Sequence, residues 1–369
     1  MDRGQQQKHL IDVAIQILIA QYESNNEFNT DFDQLGLVSI GKYQYEASKV
    51  LFWTDQQAYN IEKKAWEDYS VEQRNAEAIK LLKDNDQTVP FKAIVEAVKR
   101  QRVIPFIGAG LSKPMGMPQW GEALKKLHLR MAINNNIIDK LIDSGDFLEA
   151  AELLFLHDTD VCNNFINTTY NVQKIIGSIL LLPSIFKGCV VTTNFDKAIE
   201  QSYDLAGISF DGYMHGTQEH NFFVRLVKGD RCILKLHGDA EDSGTFVFTR
   251  SQYQDAYGSP LNFSNSLPQA LRQIYLSSSL IFIGCSLEQD WTLDLFRNIR
   301  DAGGFKTPNH YAFLSEPDAY SQQTKQQKES RLLSLGIQPI WYPSKKHEYV
   351  EKLLQLVIDI AENRISCPS

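Results

Sequence analysis

The residues of this chain that can do chemistry sit in four short motifs, each directly after an apolar run. Gly108-Ala109-Gly110-Leu111-Ser112 follows the run 103–107, and Thr192-Thr193-Asn194-Phe195-Asp196 follows 189–191. Lys235-Leu236-His237-Gly238 follows 232–234, and Gly284-Cys285-Ser286 follows 280–283. Gly108 and Gly110 permit a sharp turn and a close backbone approach to a phosphate. Thr193 and Asn194 offer donors and acceptors to a ribose, and Asp196 adds a carboxylate. His237 is of the residue type whose ordinary pKa lies nearest neutrality, and either Ser286 or Asp290 suits a ribose hydroxyl. The set fits a bound dinucleotide that is itself the substrate.

Each motif has a plainer reading when taken alone. The glycine pair lacks the third glycine and the acidic residue about 20 positions on that mark a dehydrogenase fingerprint, and no Gly-Lys-Ser/Thr follows to make a phosphate-binding P-loop. Glycines at a strand–helix junction often serve packing alone. Asp196 suits the start of a following helix, and a lone histidine beside a glycine is often a packing residue. What sets these motifs apart is their shared position at predicted strand ends, where open α/β sheets form their ligand crevice.

The elements that hold these motifs alternate. Strands are predicted at 103–107, 189–193, 232–236, 245–249, 280–283, 310–314 and 338–342. Helices are predicted at 91–101, across 119–182 (including 147–157 and 174–182), and at 197–206. Further helices fall near 251–257 and 267–277, and at 291–300, 325–335 and 348–363. Strands spaced by helices of this length make an α/β, Rossmann-like, mostly parallel and doubly wound sheet with both faces covered. Residues 1–87 read as a helical N-terminal extension, with helices at 5–24 and 58–83 and a linker at 84–87. The first of these is so apolar, from Leu10 to Ile19, that it is expected to be buried nearly all round. Residues 88–369 form the expected nucleotide-binding domain.

Composition bounds the partners. Among 369 residues, 43% hydrophobic and 22% charged content is ordinary for a soluble globular protein. A net charge of −8 argues against broad capture of nucleic acid, which needs a basic field. The five cysteines form no CxxC pair and read as reduced thiols in a cytoplasmic protein. Residues 10–20 are too few for a membrane span, which needs roughly 20 apolar residues.

The order of the four motifs, over about residues 92–300, resembles the sirtuin-like superfamily, whose members bind NAD in a Rossmann-like domain. Gly108-Ala109-Gly110-Leu111-Ser112 is similar to its Gly-Ala-Gly-x-Ser loop, and Thr193-Asn194-Phe195-Asp196 to its Thr-Asn-x-Asp motif. His237-Gly238 resembles its catalytic His-Gly, and Gly284-Cys285-Ser286 its later ribose loop. The chain departs from the protein deacetylases of that superfamily. It lacks their zinc-binding CxxC pairs, and Gly116-Met117-Pro118-Gln119-Trp120-Gly121 stands where they carry Gly-Ile-Pro-Asp-Phe-Arg. No Phe-Gly-Glu segment for pairing with an acetyl-lysine peptide follows His237.

What remains is similar to the sirtuin-like NAD glycohydrolases of bacterial anti-phage defence, most of all the type associated with a HerA-type ATPase. The resemblance implies NAD as substrate, no metal, and cleavage of the nicotinamide–ribose bond to deplete the cell's NAD. It implies Asn194 and His237 as the catalytic pair. Gly108, Ala109, Gly110, Ser112, Thr193, Asp196, Gly284, Ser286 and Asp290 would then hold the dinucleotide. A homo-oligomer and a HerA-type ATPase partner are further implied. Two other readings stay open: a non-enzymatic module that binds NAD or ADP-ribose, and an NAD-dependent deacylase.

Overall fold

The computed structural model describes residues 3–133, 136–218, 222–288, 291–303, 307–318 and 324–368. The chain divides into two compact units, Met1–Ala76 and Glu77–Ser369. The division falls within the helix Gln56–Asp84, and the segment expected as a linker is that helix's last residue, a turn at 85–86 and Gln87, directly before the next helix, Thr88–Lys99. Gln87 stands at the N-cap position of this second helix without a side-chain capping bond, and it is buried. Its side-chain amide donates to the Trp341 carbonyl (3.0 Å) and its carbonyl accepts the Trp341 amide.

The first unit packs the helices Arg3–Glu23, Asn26–Phe32 and Ala47–Thr54 with a hairpin, β1 (Leu37–Ile40) and β2 (Tyr43–Glu46). Its core is small and aromatic. Phe28 and Phe52 set their edges against Tyr59, whose hydroxyl donates to Asn29 Oδ1 (2.6 Å). The helix Arg3–Glu23 is not buried all round, contrary to expectation. Leu10 is 68% exposed, and Ile11 and Ile17 are each 54% exposed.

The second unit holds seven strands: β3 (Val103–Ile107), β4 (Val190–Thr192), β5 (Gly212–His215), β6 (Cys232–Lys235), β7 (Ser279–Ile283), β8 (His310–Ser315) and β9 (Ile337–Tyr342). Every pairing among them is parallel, in the order β5-β6-β4-β3-β7-β8-β9. The strands read as apolar runs because both faces are covered. Ile104, Phe106, Val191, Leu234 and Phe282 point into one core, with Tyr257, Leu271, Phe296 and Leu332 from the helices on that side. Ile107, Val190, Ile233, Ile283 and Phe313 point into the other, against Phe91, Ile94, Ile199 and Leu354. This is the doubly wound Rossmann-like architecture expected.

Two segments differ. Residues 245–249, expected as a strand, pair with no other strand. Phe246, Val247 and Phe248 are instead buried in the two cores, which accounts for their apolar character. The helix expected at 174–182 is short: a 3-10 turn, Ser178–Leu181, runs into the helix Leu182–Ile185.

From β3 the chain winds outward on one side through β4 and later returns to the other side through β7. The order reverses at β3, and such a switch point opens a crevice beyond the carboxyl ends of the strands. The loops after β3, β4, β6 and β7 carry the four motifs.

Candidate functional site

The loop after β3 and the loop after β7 interlock. Gly108 N–H donates to the Ile283 carbonyl and Gly110 N–H to that of Gly284, both at 2.9 Å. Neither Gly108 nor Gly110 has a positive φ, so conformational freedom is not what they supply. A Cβ at Gly108 would stand 2.6 Å from the Gly284 oxygen, and one at Gly110 2.8 Å from the same atom. Gly284 has φ +72°, and a Cβ there would lie 2.7 Å from the Leu111 amide nitrogen. These glycines are required by the approach of two backbones, and the amides of Gly108 and Gly110 are engaged there. Ala109 and Ser286 lie exposed at the rim of the same loops, and Asp290 lies outside the described residues.

Asn194 is 5% exposed and is held from three directions. Its backbone amide donates to Thr192 Oγ1 (3.0 Å), while Nδ2 donates to the Gly108 carbonyl (3.2 Å) and to Ser112 Oγ (3.0 Å). A carbonyl can only accept, so Gly108 fixes which end of the amide is the NH₂ group. Both side-chain donors are therefore engaged within the protein. Oδ1 is left buried with no hydrogen-bond partner among the described residues. An orphaned buried acceptor is costly, and a ligand hydroxyl or water is what satisfies it.

Asp196 continues the chain of contacts. It is 3% exposed, it is hydrogen-bonded by Ser112, and its Oδ1 accepts the Ala198 amide (3.0 Å) at the start of the helix Ala198–Leu205. Burial pushes its carboxyl pKa up, against the hydrogen bonds from Ser112 and Ala198 and the charge of Lys235. Its position fits helix capping and support of Ser112. Thr193 is half-buried and donates its amide to the Ile107 carbonyl (3.3 Å).

His237 stands two residues past the end of β6. Gly238 follows at φ +99°, where a Cβ would lie 2.3 Å from the Thr245 carbonyl oxygen. The imidazole keeps some accessible surface, yet loss of water around it pushes its pKa down to about 4. It is neutral at neutral pH. A capping box at Thr249 and Gln252 opens the helix Arg250–Tyr257 and sets Tyr253 in its first turns. The Tyr253 hydroxyl lies 3.2 Å from Nε2 and 3.4 Å from Nδ1 of His237, so it can donate to only one of them at a time. Tyr253 in turn stacks on Trp120 and Tyr257. Sequence reasoning missed this aromatic wall. Tyr253 and Tyr257 at helical spacing were its only trace.

A second feature missed is Lys235. It is 1% exposed at the end of β6, and its Nζ donates to the carbonyls of Phe195 (3.1 Å) and Asp196 (2.8 Å), to Glu200 Oε1 (3.1 Å) and to Asp239 Oδ2 (2.9 Å). Burial raises the Glu200 pKa, and the nearby ammonium only partly offsets it. For Asp239 burial is outweighed by Lys235 and the Glu241 amide, so its pKa is lowered. The signal was available: a lysine in the run Cys232-Ile233-Leu234-Lys235-Leu236 announces a buried charge. His215, at the end of β5, carries a buried Nδ1 without a partner among the described residues, and burial lowers its pKa.

Fold and site together define a Rossmann-like α/β domain whose strand-end loops carry an amide acceptor and a neutral imidazole. Residues 188–340 match the family described as SIR2-like domain, a segment that includes Asn194, His237 and Gly284 but not the loop 108–112. The chain resembles the sirtuin-like NAD hydrolases, as its motifs led us to expect. "NAD(+) hydrolase ThsA" of Cytobacillus dafuensis is 25% identical over 236 residues, which is 62% of this chain and 44% of that protein. "Defense-associated sirtuin 2" of Bacillus subtilis is 22% identical over 298 residues, 77% of this chain and 28% of that protein. A solved Sir2 homolog–NAD complex aligns with a TM-score of 0.40 at 14% identity, covering 73% of this chain and 94% of that one. The chain spans less than half the length of the curated relatives it matches. No described helix is long and apolar enough to cross a membrane.

Proposed function

We propose that this chain hydrolyses NAD to nicotinamide and ADP-ribose. The observation that carries the reading is Asn194: both amide donors are engaged by Gly108 and Ser112, and Oδ1 is buried and unsatisfied. It is therefore an acceptor for a ribose hydroxyl or for the attacking water. The relatives named NAD(+) hydrolase support NAD as the substrate.

Nicotinamide leaves NAD as a neutral ring, taking the electrons of the broken C–N bond. The ribose carbon that it leaves is oxocarbenium-like, as in glycoside hydrolysis. Water attacks that carbon and gives its proton to His237. The imidazole is unprotonated at neutral pH and so has a lone pair to offer. With a pKa near 4 it is a weak base in the free protein. General-base assistance of this kind is worth roughly 10²–10⁴-fold. The phosphates would meet the rim of the 108–112 and 284–286 loops through Ala109 and Ser286, because the amides of Gly108 and Gly110 are engaged elsewhere. Thr193 completes the ribose side, and Asp196 acts behind it by holding Ser112.

The same proposal covers the setting. The relative named a defence-associated sirtuin supports a role in defence, and the activity proposed above would exert it against phage by depleting NAD in the cytoplasm. The exposed apolar residues of Arg3–Glu23 support residues 1–87 as an assembly region; a homo-oligomer, and a HerA-type ATPase that controls the activity, would be its partners. Residues 88–369 would be the catalytic domain. Incubating the purified full chain with NAD, alone and with its partner ATPase, and measuring free nicotinamide tests the reading. Folded protein that releases none in either case refutes it.

A further inference from the structure

We propose that Lys235 is a positioning residue that sets the spacing between the Asn194 loop and the His237 loop, and hence between the substrate-holding acceptor and the base. The inference rests on the roles given to those two residues under the proposed function. β4 and β6 are joined by their ladder as far as Thr192 and Lys235, where Leu236 N–H donates to the Thr192 carbonyl (2.8 Å). Beyond that point the strands end and the two loops leave the sheet. There the Lys235 ammonium reaches Phe195 and Asp196, directly after Asn194, and Asp239, two residues after His237. Glu200 adds the first turn of the helix that follows the Asn194 loop. A single buried cation thus ties together both loops and the helix, alongside the Ala240 amide on the Phe195 carbonyl (2.9 Å).

Stability alone does not call for such a residue. Three N–H donors serve four acceptors, so one proton is shared. A buried ion network is often matched or bettered by well-packed apolar residues of similar volume. Position 235 lies in a strand whose other residues are all apolar, so a leucine there would serve the core. What the ammonium adds is direction, since carbonyls and carboxylates from separate loops must converge on one nitrogen. Asn194 and His237 approach a shared substrate from these loops, and a displacement of about 1 Å between reacting groups can lower a rate roughly 10²-fold.

The test uses the full chain and two variants. Lys235→Met alone leaves Glu200 and Asp239 buried without a counter-charge. Lys235→Met with Glu200→Gln and Asp239→Asn removes the lysine tie and every charge of the network at nearly constant shape. For the folded triple variant the expected result is kcat for nicotinamide release lowered at least tenfold, with KM for NAD changed by less than about threefold. The His237 imidazole resonances should also shift between wild type and variant, measured by NMR without substrate. A triple variant whose kcat per folded molecule equals wild type, whatever its melting temperature, overturns the inference. So does one that cannot fold, which would make the network a folding element. If the wild type itself releases no nicotinamide, the proposed function fails, and the imidazole resonances then judge the tie alone: unchanged resonances overturn it, shifted ones support it.

Discussion

Gly110→Ala is the sharpest probe of how the site is built. The added Cβ would lie 2.8 Å from the Gly284 oxygen and 2.9 Å from its Cα, where ordinary contact begins at 3.4 Å. Both obstacles are backbone, so the 284–286 loop has to retreat by about 0.6 Å or the β3–β7 interlock opens. Overpacking of this kind costs about 1–3 kcal/mol. In a domain of this size each kcal/mol lowers the melting temperature by roughly 2–4 °C, so a fall of about 2–12 °C is expected. The same shift displaces the loop proposed to meet the phosphates, and nicotinamide release should drop several-fold. Gly188→Ala is the control, because its Cβ would meet nothing within 4 Å and its φ is not positive. Melting by scanning fluorimetry and nicotinamide release are read on the same samples. A Gly110→Ala protein that melts within 1 °C of both the wild type and the control would show that the interlock does not require glycine.

Asn194→Ala should lower kcat roughly 10²-fold while raising stability or leaving it unchanged, because it removes an unsatisfied acceptor along with two hydrogen bonds; a large fall in melting temperature without loss of activity would contradict this. The double variant with His237→Ala should lose less than the sum of the single losses, and strict additivity would separate the two residues mechanistically. Burial holds the folded-state pKa of His237 at about 4 and that of His310 at about 3, both below the ordinary 6.5. The unfolded chain therefore takes up protons first, and stability present above pH 6.5 is lost as pH falls toward 4, by up to about 1.4 kcal/mol per unit for each histidine. His237→Gln should flatten the fall in melting temperature between pH 6.5 and 4, and an unchanged slope would contradict the burial assigned to it. Removal of residues 1–84 strips Ala78, Leu81 and Leu82 from the core of the second unit, so it should destabilise that unit by several kcal/mol, whereas removal of 1–76 should not; equal denaturation midpoints would refute this.

Six of the seven strands of the large sheet were legible, because β3, β4, β6, β7, β8 and β9 are apolar runs closed by glycine or polar residues. β5 was not, since Gly212-Tyr213-Met214-His215 carries a glycine, an exposed tyrosine and a histidine at a sheet edge. The hairpin of β1 and β2 was missed for a similar reason: all eight of its residues are exposed, so no buried alternation marks it. Residues 245–249 misled because burial of Phe246 and Phe248 in a loop has the same apolar signature as burial in a strand. In the site, the positions of Asn194 and His237 could be read from the strand ends. The free Oδ1 of Asn194 could not, because it depends on Gly108 and Ser112 arriving from another strand. Lys235 announced a buried charge, but Glu200 and Asp239 as its partners emerge only when helix and sheet are packed.

The interlock of the β3 and β7 loops also bears on when this protein first becomes competent. Cys285 meets the Phe106 carbonyl across 179 positions of sequence, and Gly284 supports the loop that carries the Gly108 carbonyl under Asn194. Parallel strands paired over such distances form late, since a long stretch of chain has to be ordered before any contact rewards it. On the ribosome, Gly284 emerges about 90 residues after Asn194, which at roughly 5–20 residues per second is on the order of 5–20 s of synthesis. Through that interval the Asn194 loop exists without the floor that fixes its amide. The nascent polypeptide is thus kept idle by its own topology, and the proposed hydrolysis waits until the β7 loop has been made and docked.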